Sequence, residues 1–195
     1  LQYVSGRGLE LRDCFRREFP RAYRKNRVFM QVRDRSMPEV RYDTLPDGKL
    51  GNYQVSEDIT TFDTSKVLLL NGEIYCETLA NHESVHPLES RLSQQIRNNI
   101  WPIYSTGERE KFTLRDYSLD FVSEGIADVI ARGVRNQNSS LNWPTNIEEL
   151  FCGDRYTFGR YIVLDLINES GPMAISIIIR NPPKEEEIFH PQEWQ

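Results

Sequence analysis

Apolar residues Leu11, Cys14, Phe15, Phe19 and Tyr23 recur at helical spacing, which predicts a helix over Leu9–Lys25 with a possible kink at Pro20. The alternation then shortens. Arg27–Val32 and Val40–Leu45 alternate apolar and polar residues and read as strands. Pro46-Asp47-Gly48-Lys49 reads as a turn, because proline presets φ and glycine supplies a positive one. Gly51–Val55 and Lys66–Leu70 read as two more strands, the second apolar enough to be buried on both faces. Beyond residue 72 the period becomes helical: Glu73–Arg97, then Asp116–Val134 with Leu119, Val122, Ile126, Val129 and Ile130 on one stripe. Asp154–Ser170 is a further apolar helix closed by Gly171, followed by short helices at Pro172–Arg180 and Pro183–Phe189, the last stopped by His190-Pro191. Trp101–Arg109 and Asn136–Pro144 are loops, and Thr145-Asn146-Ile147-Glu148 is a capping box opening a short helix. A small mixed sheet followed by a helical lobe is an α+β arrangement, here expected as one domain over 1–195.

Composition narrows the function. A net charge of −5 argues against nucleic acid as the main partner. The basic run Arg12, Arg16, Arg17, Arg21, Arg24, Lys25 and Arg27 fits a solvated helix face. The longest apolar runs, Val67–Leu70 and Ile175–Ile179, are too short to cross a bilayer. Cys14, Cys76 and Cys152 lack metal-binding spacing and read as buried thiols.

Chemistry concentrates at His82-Glu83-Ser84-Val85-His86. Two of the three histidines stand four apart, hence on one helix face, where both imidazoles can grip one metal ion. Glu83 points about 100° round the helix, placed as a general base. A catalytic zinc takes three protein ligands and leaves one position for water. His190 and Glu124 are the candidates for the third ligand, with Glu124 preferred: Glu124 and Asp128 share a helix face, able to offer one carboxylate to the metal and one to a ligating histidine.

His82-Glu83-x-x-His86 followed by Glu124-x-x-x-Asp128 resembles the gluzincins, the thermolysin-like and aminopeptidase-like zinc metallopeptidases. The resemblance implies a zincin-like fold and one Zn2+ held by His82, His86 and Glu124, with Asp128 orienting His82. The metzincin extension fits worse, since Glu89 and Leu92 occupy its glycine and histidine positions. Tyr156-Thr157-Phe158-Gly159 looks like the family's Tyr-x-x-Gly. It implies that Tyr156 stabilises the oxyanion, with Tyr161 and His190 as substitutes. Gly51-Asn52-Tyr53 resembles the region of the substrate-binding edge strand. Two features depart from the pattern: Pro87 should kink the helix at His86, and Trp101–Arg115 is an insertion between the two motifs. The expectation is therefore a zinc endopeptidase acting on peptides or proteins, and the resemblance implies an exported protein. The competing readings are a non-hydrolytic binding module with structural or absent zinc, and a zinc hydrolase of non-peptide amides.

Overall fold

The computed structural model describes residues 2–46, 48–70, 72–97, 114–133, 155–184 and 187, with side chains left undescribed at 2–7, 72–74, 114–118, 155–158 and 165. The elements run α1 (Gln2–Phe29), β1 (Glu39–Tyr42), β2 (Gly51–Gln54), β3 (Ile59–Phe62), α2 (Thr64–Leu69), α3 (Gly72–Glu83), α4 (Val85–Gln95), α5 (Leu114–Arg132), α6 (Arg155–Ser170) and α7 (Pro172–Arg180). The class is α+β: a three-stranded mixed sheet of order β1-β3-β2 beside a helical majority. β1 runs parallel and β2 antiparallel to the central β3. No helix among the described residues is long and apolar enough to cross a membrane.

α1 is longer than its apolar stripe suggests, and it runs on through Pro20. Leu11, Phe15, Phe19, Tyr23 and Met30 are all buried, so the inward face continues past Lys25 and takes up the segment expected as a strand at Arg27–Val32. The helix stops at Gln31, which adopts φ 58°. The Val32 amide bonds the Arg27 carbonyl and the Gln31 amide bonds that of Val28, a double closure in which the αL residue is usually glycine. Phe15 stacks on Phe62 of β3 at 4.1 Å between ring centroids, and Phe19 meets the same ring edge-on at 5.7 Å. Burying such a ring contributes about 1.5–3 kcal/mol. The exposed Arg16, Arg17 and Arg21 of α1 pair with the exposed Asp13 and with the buried Glu18.

The expected strand at Lys66–Leu70 is instead the helix α2. Asp63 caps it, accepting from the Lys66 amide at 3.0 Å, and also accepts from the Leu45 amide at 2.9 Å. Only one side of the apolar run is buried: Val67 is fully enclosed, whereas Leu69 is 86% exposed. The buried central strand is Ile59–Phe62, three β-branched residues and an aromatic one, all of them buried. The turn at Pro46–Lys49 forms as expected, with Lys49 N–H donating to the Pro46 carbonyl and Gly48 at φ 70°.

The three cysteines are not all thiols. Cys14 of α1 and Cys76 of α3 form a disulfide across 62 residues of chain, while Cys152 lies outside the described residues. Sequence spacing cannot show this pairing, because only the α1–α3 packing brings the two together. Asn136–Pro144 and Thr145–Glu148 also lie outside the described residues, as does nearly all of the Trp101–Arg115 insertion.

The helix expected over Glu73–Arg97 is two helices with a break at Ser84. Proline has no N–H to give the Glu83 carbonyl, and its ring would clash there in a continuous helix. Ending α3 at Glu83 puts Pro87 in the first turn of α4, where an amide needs no intrahelical partner. The break has its own polar support. The buried Asn26 of α1 donates to Asn81 Oδ1 at 2.7 Å and to Ser84 Oγ at 2.9 Å, and Ser84 Oγ donates to the Asn81 carbonyl at 2.8 Å. Asn81 Nδ2 reaches on to the carbonyl of Ala131 in α5 at 3.2 Å.

Candidate metal centre

The break aims the histidines. His82 is one residue from the end of α3 and His86 is the second residue of α4, yet their rings stay 5.1 Å apart, edge to face. α5 packs beside both helices and brings in Glu124. One donor atom from each of His82, His86 and Glu124 lies within 4.8 Å of the others, and all three residues are buried. His82 Nε2 is 3.0 Å from Glu124 Oε2. This cluster can bind a metal ion. Two imidazoles and a carboxylate are donors suited to a transition metal.

Glu83 lies beside the cluster, buried, with its carboxyl group against Gly51 of β2. A Cβ at Gly51 would collide with that carboxyl group, so glycine is required for contact with the strand, and its φ is not the reason. Burial raises the Glu83 pKa above the usual carboxylate range, against the pull of His86, His82 and Lys49. At His86 burial works against the charged form. It is outweighed by the hydrogen bond to Glu89 and by the charges of Glu124 and Glu83, and the pKa is pushed up to about 9.

Among the described residues, β2, which holds Gly51, Asn52 and Tyr53, is an outer strand of the sheet. Asp63 N–H bonds the Leu50 carbonyl, so the antiparallel alternation turns the backbone groups of Gly51 away from β3. The neighbouring strand is not the one expected, since β3 replaces Val67–Leu70. The far end of the hairpin is pinned to α4: Tyr53 Oη donates to Asp58 at 2.9 Å, and Arg91 donates to both Asp58 oxygens at 3.0 and 2.8 Å. Arg91 also donates to the Pro87 carbonyl at 3.1 Å.

Asp128 is placed differently from expectation. It is buried on α5, but Arg132 holds one oxygen at 2.6 Å and Arg160 the other at 3.3 Å, so it supports the α5–α6 packing and does not orient His82. The packing is close because Gly125 and Gly159 meet backbone to backbone, with no room for a Cβ on either. Gly159 of the Tyr-x-x-Gly motif thus has a packing role. The Tyr156 side chain and His190 lie outside the described residues, and Tyr161 is 45% exposed.

Two residues near the ligands were not anticipated. Glu89, fully buried on α4, accepts from Ser123 Oγ at 2.7 Å and lies 3.2 Å from His86 Nδ1. The available signals were slight: Glu89 falls three residues after His86, and Ser123 immediately precedes Glu124. Comparison with known protein families, curated proteins and solved structures gives no match.

Proposed function

We propose that the protein is a zinc-dependent peptide hydrolase with a zincin-like arrangement. The observation that carries the reading is the convergence of His82, His86 and Glu124, with the buried Glu83 carboxyl group near that cluster and against Gly51 of β2. His82, His86 and Glu124 would hold the ion, which when bound lowers the pKa of water and polarises a carbonyl. Glu83 accepts the proton of the attacking water and delivers it to the leaving amine. Burial, which raises its pKa, makes the carboxylate a readier proton acceptor. The backbone of Gly51 gives an extended peptide a strand to pair with, which sets the scissile bond beside Glu83. Tyr156 remains the proposed oxyanion donor, on the resemblance alone.

The deciding experiment is Glu83→Gln, assayed with a peptide library and by metal analysis. Hydrolysis should fall about 100- to 10,000-fold while one zinc per chain is retained. A variant that cleaves at the parent rate would remove Glu83 from the mechanism. A parent that binds zinc and peptides but cleaves none would favour a binding module.

A further inference from the structure

Glu89 is an unusual residue to find completely enclosed. A buried carboxylate is costly unless its oxygens meet donors or positive charge. Here two donors converge on the same oxygen, from different helices. Ser123 Oγ on α5 is 2.7 Å from Glu89 Oε2, and His86 Nδ1 on α4 is 3.2 Å from it. Ser123 Oγ also lies 3.5 Å from His86 Nδ1, so the three groups form one compact triangle. Two consequences follow from elementary chemistry. An Nδ1–H that donates to Glu89 fixes the imidazole tautomer and leaves Nε2 as the nitrogen able to bind an ion. And because Ser123 is the residue before Glu124, the same carboxylate ties a ligand of α4 to the helix turn that carries a ligand of α5. Asp128, committed to Arg132 and Arg160, does neither.

We propose that Glu89 is the positioning residue of the metal centre, holding His86 through Nδ1 and, through Ser123, setting the spacing between α4 and Glu124. This rests on the metal-binding reading of the cluster, but not on peptide hydrolysis. A positioning residue of this kind contributes to metal affinity through ligand orientation and basicity. A purely structural carboxylate would change stability alone.

The test measures zinc dissociation constants by chelator competition on the full chain, for the parent, Glu89→Ala, Glu89→Gln and Ser123→Ala, with circular dichroism to confirm folding. Glu89→Ala should weaken zinc binding about 10–100-fold, Glu89→Gln less because it keeps an acceptor for Nδ1–H, and Ser123→Ala least. A folded Glu89→Ala with the parent's affinity overturns the proposal while leaving the metal site standing. If the variants fail to fold, long-range 1H–15N spectra of the zinc-loaded parent decide. A proton on His86 Nδ1 with the metal on Nε2 supports the assignment, and metal on Nδ1 overturns it. A parent that binds no zinc removes this proposal and the hydrolase reading together. A parent that binds zinc without hydrolysing peptides removes only the latter.

Discussion

On one side of Ser84, the rear, the break between α3 and α4 is held by neutral groups; on the other, the front, stands a cluster of buried ionisable residues. The rear consists of Asn26, Asn81 and Ser84, amides and a hydroxyl that satisfy one another within 2.7–2.9 Å. The front consists of His82, Glu83, His86, Glu89 and Glu124, all buried. Neutral amides can exchange water for one another at little cost, whereas buried carboxylates and imidazoles each carry a desolvation penalty. The rear therefore acts as scaffold. The front is where that penalty concentrates, at the cluster able to hold a metal ion.

That contrast can be tested. The largest stability effect is expected away from the break, at the disulfide. Cys14→Ser/Cys76→Ser should cost about 4 kcal/mol in denaturant unfolding on the loop-entropy account, since the link closes 62 residues. Zinc affinity of the folded protein should persist, because Cys76 lies outside the donor cluster. A lost zinc site would show that the α1–α3 link also sets the front.

At the rear, Asn26→Ala removes a donor shared by Asn81 and Ser84 and should cost about 2–3 kcal/mol, read as a lower denaturation midpoint. If it also abolishes zinc binding in a folded variant, the two faces are not separable as drawn. At the front, removing metal is the corresponding perturbation. Zinc at a hundred times its Kd should stabilise the parent by about 2.7 kcal/mol. That increment should survive in Asn26→Ala and vanish in His82→Ala, measured as the difference between loaded and chelated thermal unfolding. An equal increment in His82→Ala would place the ion elsewhere.

Several parts of this arrangement were legible in the residues. The spacing of His82 and His86, the α5 helix carrying Glu124 and the closing glycine at 171 need only local periodicity, because each depends on near neighbours in the chain. The strand assignments failed where local pattern was ambiguous. Val67–Leu70 is apolar enough for a strand, yet the Asp63 cap and one-sided burial make it helical, and α1 continues through Arg27–Phe29 because Met30 remains in the core. Pro87 was visible as a disturbance, but not that the chain would relieve it at Ser84 with support from Asn26, 58 residues earlier.

The sequence by itself determined the candidate groups: two imidazoles flanking a glutamate on one short stretch, and an acid on a later helix. Only the tertiary structure decided which acids serve which groups. Asp128 and Glu89 are both acids at helical spacing from a motif residue. The approach of Arg160 claims the first, and the approach of Ser123 beside His86 places the second. Both choices depend on how helices distant in sequence pack, and local periodicity carries no information about that.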